Sequence, residues 1–430
     1  MNILLLGSGG REHAFAWKLS QSQLCTKLLI APGNTGTALC GTNKDFAVTD
    51  FEKIKACCIE EFIDLVIVGP EEPLVQGIVD YLKKESGLNL MIIGPSKEAA
   101  QLEGSKAYAK AFMQRHNIPT AAYKEFTANN FQEGIAYLQQ HPLPVVLKAD
   151  GLAAGKGVLI CHNHVEAISE FDLMIQRSKF GEAGKRVVVE EFLNGIELSV
   201  FVLTDGKNYV LLPEAKDYKR IGEGDTGPNT GGMGAVSPVP FADDKFMQKV
   251  IDKIVQPTIQ GLQQDNLDYK GFVFIGLIKI KDEPYVIEYN CRMGDPETEV
   301  VLPRIKNDLV EVLAATAKGE LQNIIIEKDE RFAATIVAVS GGYPGDYEKE
   351  LSITGLKEFQ NSDENIVFHG GTKEKDGDIV TSGGRVFCVT SLSKNLDDAI
   401  ETSREVIDNI DFENKYYRRD IGYEFVKDLA

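Results

Sequence analysis

The first hundred residues constrain the fold more tightly than any other stretch. Four short apolar runs, at 3–6, 28–30, 65–68 and 91–93, alternate with helical patterns at 11–20, 51–62 and 74–85. Runs this short and uniformly apolar read as strands buried on both faces of a parallel sheet. Each ends in a turn rich in Gly or Pro: GSGG, APGNTG, GPEEP and GPS. In a doubly wound α/β sheet those turns lie at the carboxyl ends of the strands, where such folds bind ligands.

A dinucleotide reading of the first turn fails. The third glycine of GxGxxG would fall on Glu12, and the second run ends in Ala31-Pro32 with no acid for a ribose. Backbone N–H groups at the helix start can still hold a phosphate. His13 reads as a satisfied helix residue rather than a catalyst.

With 430 residues the chain is too long for one core, so two to four domains are expected. Its net charge of −18 argues against a nucleic-acid or anionic-membrane surface, because phosphate backbones demand clustered Lys and Arg. A small phosphorylated ligand in a locally basic pocket is not excluded. No apolar run approaches the length of a membrane span, and Met1-Asn2 leads into a strand without a basic signal region. The seven cysteines are scattered without metal-type spacing, as reduced cytoplasmic thiols would be. A cytoplasmic monomer is expected.

Residues 101–115 read as a basic helix ended by Ile118-Pro119. Smaller strands and helices follow to about residue 189, centred on VVLKADGLAAGKGV. There a strand ends in Lys148, and Gly151, Gly155 and Gly157 surround Lys156. The spacing is not that of a Walker A loop. Three glycines let backbone N–H groups approach phosphate oxygens, and Lys156 adds charge. The residues alone leave open a phosphate lid or a flexible hairpin tip. The strand VVVEEFL turns at Asn194-Gly195. It is either an exposed edge or a linker edge offered to a purine base, with Glu197 near ribose hydroxyls. The glycine-rich stretch 214–235 has no helical or strand period and reads as a long functional loop. A helix interrupted at Pro257 is expected over 244–265, and another over 303–318.

The stretch YVIEYNCRMGDPE carries the densest chemistry. A GFVFIGLIKI run and a Lys281-Asp282-Glu283 turn precede it, predicting an antiparallel hairpin. Glu288 and Asn290, two apart on a strand, share a face and offer the hard oxygen ligands that suit Mg²⁺ held on phosphates. Arg292 is a planar fork for a carboxylate or phosphate. From about residue 331 a compact unit of strands at 333–339, 366–368 and 385–390 and a helix over 396–410 is expected to serve packing.

A lysine-glycine lid, a hinge strand and an Asn/Glu metal strand together resemble the ATP-grasp superfamily. The motifs GSGGREHAFAWKL, APGNTGT, VGPEEPLVQGIVD, QLEGSKAYAK, KADGLAAGKGV, DTGPNTGGMGA and EYNCRMGDPETE closely resemble the glycinamide ribonucleotide synthetase family of purine synthesis, over essentially the whole chain. The resemblance implies an N-terminal phosphoribosyl-binding α/β domain (1–102), an ATP-grasp domain (103–330) with a lid at about 120–189, and a small C-terminal α+β domain (331–430). It implies that Lys106, Lys148, Gly155, Lys156 and Gly157 meet the nucleotide, with Glu190 and Leu193 at the adenine and Glu197 at the ribose. Glu288 and Asn290 would hold Mg²⁺, or Mn²⁺ in its place. Gly9, Gly10, Asn34, Gly36 and Glu71 would receive the phosphoribosyl group. Asp217, Lys219, Arg292 and Asp295 would surround glycine and the reacting centre, with Lys156, Arg292, Asp217 and Lys219 catalytic. The 229–235 backbone, through Gly232, and the turn at Gly294 would wall the glycine pocket. The implied activity is ATP-dependent ligation of glycine to 5-phosphoribosylamine through glycyl phosphate. Lys216, Tyr218 and Met293 depart from the family pattern. A carboxylase acting on an aminoimidazole ribonucleotide is the nearest alternative enzyme, and an inactive nucleotide-binding regulator is the alternative of another class.

Overall fold

The computed structural model describes residues 1–85, 87, 89–152, 157–177 and 179–426. The four apolar runs form the strands Asn2–Gly7, Lys27–Pro32, Leu65–Val68 and Met91–Pro95, joined by a short edge strand, Thr42–Asn43. All pair in parallel, with Asn2–Gly7 between Lys27–Pro32 and Leu65–Val68. Ile3, Leu5, Ile30 and Ile67 enter one core while Leu4, Leu6, Leu29 and Val66 enter another. That period-two division is why the runs look uniformly apolar.

The sheet does not end at residue 95. Tyr269–Ile280 pairs antiparallel with Met91–Pro95 through Tyr269 opposite Pro95, and Ile196–Thr204 and Tyr209–Leu211 extend the array. With Glu283–Asn290 it has nine strands, so the parallel N-terminal half and the antiparallel central half share one sheet. A separate four-stranded sheet holds Tyr123–Thr127, Arg186–Glu191, Val145–Ala149 and Val158–Cys161. The helices Phe131–Gln140 and His164–Ile175 pack on it around Phe126 and Phe171, giving this unit its own core. A five-stranded sheet is built from Phe332–Val339, Arg385–Ser393 and Asn365–His369 with two strands from the glycine-rich stretch, Lys216–Asp217 and Gly234–Ser237. The helix Leu396–Asp408 covers it.

Several expected elements differ. The stretch 214–235 is not a periodless loop: it forms those two strands and a small ladder of Arg220–Gly222 with Thr226–Asn229. Their partners lie far away, as when Val236 pairs with Ala334, so no local period announces them. The basic helix splits into Gln101–Gly104 and Lys106–Arg115, because Ser105 is extended and its Oγ accepts from Tyr108 N–H. Gly77, at φ +96°, likewise divides Glu71–Gln76 from Ile78–Glu85. The helix before the hairpin is not interrupted at Pro257. A π-helical turn, Ile251–Val255, widens the coil just ahead of the proline and carries Asp244–Val250 into Gln256–Gln264. The helix placed at 303–318 begins only at Leu309, where Asp308 caps Val310 and Glu311 N–H groups. The seven cysteines are all free. Among the described residues no helix is long and apolar enough to cross a membrane.

Candidate active site

Glu283–Asn290 pairs with Tyr269–Ile280 across the turn Lys281-Asp282, where Lys281 takes φ +56°. Gly276 faces Glu288, but its neighbour Leu277 faces Val286, so Ile287 is an extra residue in the ladder. This bulge reverses the side-chain phase. Val286 points into the core, fully buried, yet Glu288 and Asn290 stand half-buried on the open face. Without the bulge Glu288 would follow Val286 inward. Glu288 and Asn290 supply one carboxylate and one amide oxygen, and among the described residues no group of three or more His, Cys, Asp or Glu could hold a metal alone. So sparse and hard a donor set fits a Mg²⁺ whose other ligands are phosphate oxygens and water.

The freed carbonyl of Ile287 accepts from Lys148 Nζ at 3.2 Å. Lys148 also lies 3.0 Å from Glu190 Oε2, as does Lys110. All three side chains are buried, and Glu190 Oε1 has no partner among the described residues. Lys106 donates to the carbonyl of Gly151 at 3.3 Å, at the start of the glycine loop. Gly157 O accepts from Ala149 N–H. Leu193 is half-buried just beyond the strand Arg186–Glu191. Gly155 and Lys156 lie outside the described residues.

Lys219 bridges Glu197 and, at 3.2 Å, Asp217. Its tip stays exposed at the cleft mouth; crowding by protein there works against its charge, but Asp217, Glu197 and Glu288 outweigh that and hold the ammonium above its usual value. Lys219 in turn holds Glu197 below the ordinary carboxylate range. Behind them Glu297 accepts from Ser199 Oγ at 3.1 Å. Burial and then Asp217 push its carboxyl up to about 7, where it can exchange a proton at neutral pH.

Two residues past Asn290, Arg292 Nη2 lies 2.9 Å from Glu103, Nε lies 3.3 Å from Glu71, and Nη1 donates to Met293 O. Burial raises the Glu103 carboxyl against the pull of Arg292. Glu71 is lowered, because Arg292 and Arg11 overcome its burial. Glu103 also accepts from Cys291 N–H at 2.7 Å, which fixes the strand end.

The first turn meets the C-terminal unit here. A Cβ on Gly9 would fall 3.3 Å from Asp295 Oδ2, and Asp295 is paired with Arg385 at 2.8 Å. Gly10 faces inward instead: its Cβ would lie 2.5 Å from Glu299 Oε1. Gly36 abuts His13, and Asn34 donates to the carbonyls of Ser8 and His369. Gly232, at φ +116°, lies against Pro296, and Gly294 against Glu297. His13 Nδ1 accepts from His369 N–H at 2.7 Å, the satisfied role its sequence context suggested.

Lys148 and Glu190 thus meet directly, as do Asp217, Lys219 and Glu197, and Arg292 and Glu71. Gly9 adjoins Asp295. Among the described residues Lys106, Leu193, Glu288 and Asn290 touch none of the other chosen side chains in a hydrogen bond or ion pair. Lys216 and Tyr218 both contact the C-terminal segment, and the Lys216 charge also reaches Glu197. Lys216 lies 3.2 Å from Glu424 and 4.0 Å over the Tyr218 ring, and Tyr218 also donates to Glu424. Sequence reasoning passed over Lys110, Glu103, Glu297, Glu299 and Arg385. Glu297 and Glu299 sat inside one chosen motif and Glu103 and Lys110 inside another, but nothing local marks Glu103 or Lys110 as buried or brings Arg385 to the site.

Three family models match in order: the N domain of phosphoribosylglycinamide synthetase over residues 1–103, its ATP-grasp (A) domain over 104–298, and its C domain over 333–424. The chain is 46% identical over 430 residues to a phosphoribosylamine–glycine ligase of Yersinia pestis, covering 99% of each, and 44% identical to one of Caldanaerobacter subterraneus, covering 98% of this chain and 99% of that one. The crystal structure of a phosphoribosylamine–glycine ligase from Thermotoga maritima superposes with a TM-score of 0.84 at 35% identity, over 98% of this chain and 100% of that one. A biotin carboxylase domain from Hydrogenobacter thermophilus, solved with MgADP and bicarbonate, matches at a TM-score of 0.74 and 15% identity over 96% of this chain and 91% of that one, a likeness of fold alone.

Proposed function

The chain belongs to the phosphoribosylglycinamide synthetase family, ATP-dependent ligases of purine biosynthesis, and from that premise we propose that it joins glycine to 5-phosphoribosylamine through glycyl phosphate in the cleft around residues 287–292. A carboxylate does not acylate an amine in neutral water, so it must first gain a leaving group. In this reading the glycine carboxylate attacks the γ-phosphoryl group of ATP, releasing ADP. The amine of phosphoribosylamine then attacks the acyl carbon and expels phosphate.

One observation carries the reading. Within six residues the bulged strand end touches both halves of the reaction: Ile287 O receives Lys148, Glu288 and Asn290 face the open side, and Arg292 is held between Glu103 and Glu71. Lys148 and Lys106 meet phosphates, the Glu190–Leu193 edge the adenine, and Glu197 the ribose. Arg292 and Lys219 fix charge at the glycine carboxylate, while Asp217 orients Lys219. The Gly9 turn, Asn34, Glu71 and Asp295 receive the ribosyl phosphate and its amine, and Glu297 can take the proton the amine loses. Mg²⁺ held by Glu288 and Asn290, with Mn²⁺ as the substitute to compare, would neutralise charge on the transferring phosphoryl oxygens. Lys156 would add its positive charge at the transferring phosphoryl group. The negative net charge and free thiols suit a cytoplasmic enzyme acting on small molecules.

The test is ADP release. It should require glycine and reach full rate only with phosphoribosylamine. Release that needs bicarbonate and an aminoimidazole ribonucleotide, or none under any condition, would refute the reading.

A further inference from the structure

Lys110 has no part in the scheme above, yet its side chain is only 2% exposed. Its three ammonium protons are all placed: Thr120 Oγ1 at 2.8 Å, Ala121 O at 3.3 Å and Glu190 Oε2 at 3.0 Å. Thr120 passes the contact on to the metal-facing strand by donating to Val286 O at 2.7 Å. Lys148 is different. It reaches the same Glu190 oxygen and Ile287 O, and its third N–H has no partner among the described residues. Two cations therefore share one carboxylate oxygen while the other oxygen is buried without a donor among the described residues. The remaining charged or titratable neighbours are Glu191, whose Oε1 accepts from Ala122 N–H, Tyr123, whose ring lies 5.5 Å from Lys110 Nζ, and Glu197, whose carboxyl is held down by Lys219 and more weakly by Lys148. A buried triad with one excess positive charge is unfavourable until an anion joins it.

We propose that Lys110 is a positioning residue that keeps Glu190 neutralised while Lys148 turns to a nucleotide's phosphates, so that nucleotide binding draws a proton onto Lys110. This rests on the nucleotide reading of the cleft. In the nucleotide-free protein burial pushes the Lys110 ammonium down to about 8, with Lys148 adding to the fall and Glu190 opposing it. Once a phosphate engages Lys148, the Glu190 charge falls to Lys110 alone and its proton is held more tightly. Above pH 8 the free protein has released that proton and the complex has regained it. One proton then moves from solvent to Nζ per nucleotide bound, and affinity weakens with rising pH, by up to about tenfold per unit.

Calorimetric titration of the full chain with MgADP at pH 8.5, in two buffers of different ionisation enthalpy, tests this. The ADP phosphates are already ionised there. The parent should take up a large fraction of a proton. Lys110→Arg, which cannot deprotonate, should bind within about threefold of the parent at pH 7 and take up none. Lys110→Met should bind at least about tenfold more weakly at pH 7, because Lys148 cannot leave Glu190 unpaired, and should also take up none. Uptake that persists in Lys110→Met overturns the proposal. So does normal MgADP binding by the parent without uptake, a result that leaves the nucleotide reading intact and needs no variant to fold. Failure of the parent to bind MgADP at all would overturn the nucleotide reading and this inference with it.

Discussion

Arg292 and Glu103 form an ion pair of 2.9 Å deep in the cleft, joining the second residue past the strand Glu283–Asn290 to the helix Gln101–Gly104. Glu71 and Met293 O take two more of the Arg292 N–H groups, leaving two of the five for a ligand among the described partners. The fork is therefore aimed before any substrate arrives.

Arg292→Lys should lower glycine-dependent turnover by about 10² or more and raise the glycine KM, because a point charge cannot serve Glu103, Glu71 and a carboxylate together. MgADP affinity should stay within about threefold. Glycine saturation kinetics and calorimetry check this, and normal glycine kinetics would remove Arg292 from the glycine site.

Glu288→Gln should leave stability within about 0.5 kcal/mol, since the side chain stands on the open face and the bulge holds the strand. Turnover at limiting Mg²⁺ should fall by about 10² or more with the loss of the anionic ligand. Paired melting curves and Mg²⁺ titrations measure both, and unchanged activity at limiting Mg²⁺ contradicts the assignment.

Gly9 and Gly10 should separate function from packing. Gly10→Val drives a branched Cβ against buried Glu299 and should destabilise by about 1–3 kcal/mol, seen as a lower Tm. Gly9→Ala meets only the carboxylate ends of Glu12 and Asp295 at 3.2 and 3.3 Å, so it should fold and raise the phosphoribosylamine KM selectively. A Gly9→Ala variant whose ATP KM rises instead would reverse the roles of the N-terminal and central sheets.

The His13–His369 contact should make stability fall with acid. Burial and His369 hold His13 well below its ordinary value, and burial takes His369 down to about 4. The unfolded chain binds these protons near pH 6.5, so stability present above that value is lost as pH drops, by on the order of 2 kcal/mol per histidine at pH 5. Urea unfolding of the parent at pH 7 and 5 should show this. His13→Asn, which retains an acceptor for His369 N–H, should show a smaller drop, and an equal drop would discount the pair.

What the sequence revealed follows from the range of the forces involved. The parallel strands and the 281–282 turn were readable because period and turn chemistry are local. The bulge at Ile287 was not, since it exists only against Gly276 and Leu277. Asp295 and Arg385 are 90 residues apart in the chain, and their pairing depends on docking of the five-stranded sheet. Lys110 looked like one more charge on a basic helix until burial placed it beside Glu190.

The glycyl phosphate step is tested most directly with glycine carrying oxygen-18 in both carboxylate positions. Attack by the carboxylate on the γ-phosphoryl group transfers one labelled oxygen to each phosphate released, and the other stays in the new amide. Mass spectrometry of the phosphate should therefore show one oxygen-18 per turnover in ordinary water. Phosphate without label, from a reaction that still forms the amide, would contradict activation of glycine by phosphorylation.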